Sequence, residues 1–191
     1  MSRGDTTAST DTAWRDDHDG DETVDGPTDL PLTTGGGDDP TMVMKFAFPA
    51  LRWDMIDILR DAIASLVTRL LGSRDRAERV AMAAHELMEN ASKYSLDRHV
   101  LVGCRVYMCG QTVIVTVRNN ADPAQVSVLR EELSFVNEGD PFERYVERMQ
   151  ASLEREGSML GLARIRSEGG AKLAAETNGT SVLVSAVFEA E

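Results

Sequence analysis

The sequence predicts an α+β domain, a two-layer sandwich in which helices cover one face of a mostly antiparallel sheet. Three observations predict it. Apolar residues alternate in a paired segment near 100–118 that turns at Gly110-Gln111, and a second pair, Lys172 to Thr177 and Thr180 to Phe188, flanks the hairpin signal Asn178-Gly179. Other stretches repeat their apolar residues at threes and fours, the helical period. The strands also come as adjacent pairs, which makes antiparallel neighbours and gathers the helices on one side.

Met42 to Phe48 reads as a short strand closed by Pro49. A long helical pattern follows, with Ile56, Leu59, Ile63, Leu66, Val67 and Leu70 recurring until Gly72 ends it. Ser73 is placed to cap a second helix, whose apolar stripe is Val80, Ala84, Leu87, Ala91 and Tyr94. Val100, Val102, Cys104, Val106 and Met108 then alternate, Gly110-Gln111 turns the chain, and Val113, Val115 and Val117 continue. One face of this pair should be buried. Asn119 to Pro123 breaks the strand. Residues 124–156 read as a helical insertion with Phe142, Tyr145, Val146, Met149 and Leu153 on one face. A further helix follows Gly157-Ser158-Met159-Leu160-Gly161-Leu162 and stops at Gly169-Gly170. A hairpin turning at Asn178-Gly179 closes the chain.

Charge divides the 191 residues unevenly. Of the net −12, residues 1–40 carry −9, from eleven acidic residues and two arginines. That segment is rich in Asp, Thr and Gly and lacks apolar periodicity. It cannot bury enough surface to offset chain entropy, so the expectation is a disordered acidic tail followed by one domain over 41–191. The tail reads as a solubilising leader or as a partner-binding or autoinhibitory segment. Its charge would repel phosphates and argues against nucleic acid as a partner. The sequence shows no secretory signal and no apolar run of membrane-spanning length. Cys104 and Cys109 are five apart in a strand, so they face opposite ways and should stay unbridged. Two free thiols suit a reducing, cytoplasmic setting.

The second helix carries the chemistry. Glu86, Asn90 and Lys93 stand at offsets of zero, four and seven, which places them on one stripe beside the apolar one. A carboxylate there can orient or deprotonate a hydroxyl. A carboxamide oxygen can ligate Mg2+, and a lysine can contact phosphate. The same stripe also reads as a solvated helix face. Downstream, Gly157 to Leu162 could hold an anion on backbone N–H groups or could be a simple turn. His85 and Glu89, at i and i+4, could be two ligands of a hydrolytic metal or a half-exposed helix pair.

Glu86-Leu87-Met88-Glu89-Asn90-Ala91-Ser92-Lys93-Tyr94-Ser95 resembles the asparagine box of the histidine-kinase-like ATPase superfamily. That superfamily includes sensor histidine kinases, DNA gyrase and the bacterial anti-sigma-factor serine kinases. Val113 to Asn120 is similar to the strand before its first glycine box, and Gly157 to Ala163 to its second. The resemblance spans roughly 42–189 and is closest to the anti-sigma-factor kinases. It implies Asn90 as a Mg2+ ligand and Glu86 as the catalytic base or acceptor-orienting group. It implies Lys93 near the phosphates of ATP and Asn119 at the adenine. Gly157, Leu160, Gly161 and Leu162 would wrap the triphosphate, and the 124–156 insertion would be the lid. It further implies a protein partner similar to an anti-sigma antagonist, and it admits a homodimer.

The pattern departs from the family in two places. Asn119 stands where the family has an Asp, and Asn120, Ala121, Asp122 and Pro123 replace the glycines that follow it. Met159 replaces the middle glycine of the second box. Two functions fit. One is an ATP-binding regulator that phosphorylates a Ser or Thr on a partner, or binds that partner under nucleotide control. The other is a nucleotide-free interaction module of the same fold.

Overall fold

The structure, a computed structural model, describes residues 40–152 and 160–190, all within the unit Pro31–Glu191. The expected disordered tail, Leu153, and the Gly157 to Met159 part of the glycine element lie outside the described residues. Ten elements follow in order: β1 (Met42–Pro49), α1 (Asp54–Leu71), α2 (Arg74–Lys93), β2 (Leu101–Cys109), β3 (Thr112–Asn120), α3 (Pro123–Asn137), α4 (Pro141–Ser152), α5 (Leu160–Ser167), β4 (Lys172–Asn178) and β5 (Ser181–Phe188). The five strands form one sheet in the order β1-β2-β3-β5-β4, and every neighbouring pair is antiparallel. Helices cover one face, which gives the predicted two-layer sandwich.

Alternation sets which residues meet the helices. Val102, Cys104 and Val106 of β2 and Val113, Val115 and Val117 of β3 are all buried. Their odd or even neighbours, such as Arg105 and Arg118, lie on the other face. Helix α2 contacts α1 and α5 as well as β2, β3 and β5, so it is buried on several sides. Its small residues Ala77, Ala81, Ala83 and Ala84 are fully enclosed and allow that close approach. Ser73 caps it as expected, its hydroxyl accepting from the Arg76 amide at 3.3 Å. Buried Arg76 donates to the carbonyls of Gln111 and Glu189, which ties the start of α2 to the β2–β3 turn and the end of the sheet.

Three expectations change. The apolar pattern of α1 is wider than the surface it buries. Ile56, Leu59, Ile63 and Val67 enter the core, whereas Leu66 and Leu70 are 43% and 51% exposed. The 124–156 insertion contains two helices where one was expected. The second, α4, buries none of its residues, and Phe142 and Met149 face solvent. The final turn is shifted by one residue. Asn178 pairs with Ser181, so Gly179-Thr180 forms the loop, with Gly179 at φ 58°.

Candidate functional site

Helix α2 presents Glu86, Asn90 and Lys93 beside its buried stripe, and the three side chains meet different surroundings. Glu86 meets α5. Its Oε1 accepts from Arg164 Nη1 at 3.1 Å, and Arg164 Nε donates to Glu168 at 2.9 Å. The Glu168 hydrogen bond, with a smaller contribution from Glu86, raises the Arg164 pKa above its ordinary value. Gly161 sits directly over the other Glu86 oxygen, where any Cβ would collide with the carboxylate. The glycine lets α5 approach α2 while the Glu86 carboxylate keeps its place beside Arg164. Arg164 carries no sequence signal of this role, since the pair is 78 residues apart.

Asn90 lines a pocket between α2, β3, β5, α3 and α5. Its Nδ2 is buried and has no hydrogen-bond partner among the described residues. An unpaired buried amide costs stability, so in a pocket wall this N–H group is available to donate to a water or a ligand. Lys93 is exposed and lies over the Tyr94 ring, 5.2 Å from its centroid. Tyr94 is itself part of the pocket wall.

Asn119 is 6% exposed, and its Nδ2 donates to the Ala91 carbonyl at 2.9 Å. That carbonyl belongs to the last turn of α2, where main-chain acceptors lack helical partners. Ser95 Oγ donates to the same oxygen at 2.8 Å. The Asn119 amide is thereby committed to the helix end, and Oδ1 is its remaining acceptor at the pocket. Beyond Asn119, where the resemblance would put a glycine box, the chain starts a helix. Asp122 caps α3, accepting from the Ala124 amide at 2.8 Å, and Pro123 takes the first helical position. Gln125, Val126 and Leu129 of α3 complete the pocket wall.

The pocket is an open cleft, with about 480 Å³ of free space when the solvent before its mouth is included. Leu87, Val117, Leu162 and Val184 give it apolar sides. Its polar lining residues are Asn90, Tyr94, Asn119 and Gln125, and no charged residue is among the described residues that line it. Apolar walls with a few carboxamides suit a flat, uncharged, hydrogen-bonding heterocycle. Leu162 is buried in that wall at 1% exposure, Gly161 faces Glu86, and Leu160 opens α5. Gly157 lies outside the described residues. A Mg2+ ion keeps most of its waters and needs few protein oxygens, so the single carboxamide of Asn90 is a donor set of the right kind.

The alternative metal pair takes a different form. His85 Nε2 lies 3.1 Å from Asp57 on α1, and Nδ1 lies 3.8 Å from Glu89. The imidazole joins two helices. Among the described residues no group of three His, Cys, Asp or Glu side chains could hold a metal ion. Cys104 and Cys109 are both buried and free. No described helix is long and apolar enough to cross a membrane.

No protein-family model matches the sequence, and no curated protein matches it. The fold is similar to a chain in the crystal structure of the SiaB–SiaC complex from Pseudomonas aeruginosa. The TM-score is 0.59 and the identity 15%, over 78% of this chain and 89% of that one. At that identity the likeness is one of fold.

Proposed function

We propose that this protein is a regulator that binds a protein partner under the control of an adenine nucleotide. One observation carries the reading. An orphaned buried amide, Asn90 Nδ2, and the free acceptor of Asn119 share the wall of one apolar pocket on the helix that bears the asparagine-box pattern. The base would enter between Val117, Leu162 and Val184 and offer its amino group to Asn119 Oδ1. Asn90 would hold Mg2+, and Lys93 would stand near the phosphates. Bound Mg-ATP would supply a transferable phosphoryl group. Glu86 is the residue of this chain that could orient an acceptor hydroxyl, once Arg164 releases it. A solved structure similar in fold is a two-protein complex, which supports a protein partner; the resemblance to the anti-sigma-factor kinases would make that partner one similar to an anti-sigma antagonist.

A second reading rests on α3. Its start at Pro123 gives a rigid helix where a glycine loop would admit phosphates, which favours a nucleotide-free module binding the same class of partner. Calorimetric titration of ATP into the full chain, with and without Mg2+, separates the two. The expected result is binding that Mg2+ strengthens, and Asn90→Ala should remove the Mg2+ effect. Glu86→Ala should leave binding intact and abolish any phosphoryl transfer. A flat titration up to millimolar ATP overturns nucleotide control and leaves the interaction module.

A further inference from the structure

The sheet face turned away from the helices carries an unusual charge arrangement. Register places three rows across it. The first is Val43, Tyr107, Ile114 and Val187, one residue from each of four adjacent strands. It is a continuous apolar and aromatic row, partly exposed, with Val43 at 42%. The second is Lys45, Arg105, Thr116 and Ser185. The third holds Ala47, Gly103, Arg118, Leu183 and Glu176, whose carboxylate stands two strands away from Arg118 and is not paired with it.

Lys45 and Arg105 are directly opposite each other on neighbouring strands, a like-charge pairing that destabilises a sheet. Arg118 is diagonal to Arg105, across from Gly103, which adds no side chain between them. None of the three cations pairs with a carboxylate among the described residues. Arg105 instead donates to the Tyr107 hydroxyl at 3.3 Å and Arg118 to the Ser181 hydroxyl at 3.1 Å. Elsewhere arginines such as Arg52, Arg60, Arg144 and Arg164 do have carboxylate partners. Three uncompensated cations on one face of a chain with net charge −12 make a local field of the opposite sign.

We infer that this open sheet face docks an acidic segment of a partner protein, with its apolar side chains on the Val43–Val187 row and its carboxylates on Lys45, Arg105 and Arg118. The inference rests on the reading of the protein as a partner-binding regulator and does not require the nucleotide. The dimensions favour a segment over a whole domain. Three interstrand spacings of about 4.8 Å give a row about 14 Å long. That is short of the width of a standard interface, which buries about 800 Å² per partner. The charge argues against nucleic acid and anionic membrane, because three cations do not offset a strongly acidic chain at the long range that such polyanions sense.

The test uses the full chain, isotope-labelled for NMR, and a peptide of about ten residues alternating glutamate and leucine. Shifts are expected at Val43, Lys45, Arg105, Tyr107, Ile114 and Arg118, with affinity falling as salt rises. The triple variant Lys45→Glu/Arg105→Glu/Arg118→Glu should bind at least about ten-fold more weakly while melting as a folded protein. If charge reversal unfolds the chain, the glutamine triple variant serves, with a smaller loss expected. Unchanged affinity in a folded variant overturns the proposal, as does tighter binding of single-stranded DNA or phosphatidylserine vesicles than of the peptide. Repeating the titration with Mg-ATP keeps the two readings distinguishable. Peptide binding indifferent to ATP would sustain this face and sink nucleotide control, and ATP binding without peptide binding would do the reverse.

Discussion

Asn119 supplies a donor where an aspartate has none, and the Ala91 carbonyl at the end of α2 depends on that donor. An ionised aspartate would set a charge against a carbonyl oxygen inside the protein, leaving the buried acceptor short of one bond. Asn119→Asp is therefore expected to destabilise the fold by about 1–3 kcal/mol at neutral pH. Urea denaturation checks it, and a variant as stable as the parent would show that Ser95 alone satisfies Ala91. At Gly161 the packing is close as well. Gly161→Ala puts a methyl group into the Glu86 carboxylate, so either α5 shifts or the Glu86–Arg164 pair breaks. The expected loss is up to about 1 kcal/mol, because the end of Glu86 can turn aside and the partly exposed pair contributes little. Glu86→Ala should rescue much of that loss in the double variant, because it removes the clash.

Helix α3 shows how one signal can be read two ways. Asp122-Pro123 has the chemistry of a strand breaker and equally of a helix cap followed by a first-turn proline. The structure takes the second course. Asp122→Ala should cost about 1 kcal/mol through the lost Ala124 bond. It should also loosen the pocket wall made by Val126 and Leu129. Faster amide exchange across α3, with α1 unchanged, is the measurement that isolates the effect. Helices α1 and α2 were legible because their apolar residues recur on a face that the core then buries. Helix α3 carries the same period, since Val126, Leu129, Leu133 and Val136 recur at threes and fours, but its stripe is narrow and the broader apolar face at 142–153 alone reads as the helix of the insertion. Helix α4 has a strong apolar period, yet periodicity reports only that a face exists, and the described partners cover little of it. The Glu86/Asn90/Lys93 stripe was legible as a stripe. Its division into a carboxylate held by Arg164, a pocket amide and an exposed cation depends on what packs from distant elements.

Across the whole molecule, the sheet-and-helix layering followed from alternation and period, and the same alternation left one sheet face open and basic. Cys104 lies at the centre of that architecture, on β2 under the helices, with no exposed surface. Burial pushes its thiol pKa up from 9.0 to about 12. In the unfolded chain the thiol ionises near its ordinary value, so the folded state holds a proton that the unfolded state gives up. The stabilisation from that difference is complete below about pH 9 and is lost as pH rises towards 12. In that window stability should fall with a slope approaching about 1.4 kcal/mol per pH unit from this one group. Lysine and tyrosine titrate in the same range, so the informative quantity is the difference between parent and Cys104→Ala. The variant starts less stable because of its cavity, and the two urea-derived stabilities should converge as pH climbs from 8 to 11. Parallel curves would mean that the thiol titrates alike in both states and that water reaches the middle of the sheet. The same burial makes thiol labelling a probe of the fold as a unit. If the layers open only together, Cys104 reacts with an alkylating reagent at a rate set by global unfolding, and the free energy from labelling equals that from circular dichroism. A smaller value from labelling would show β2 separating from the helices ahead of the rest.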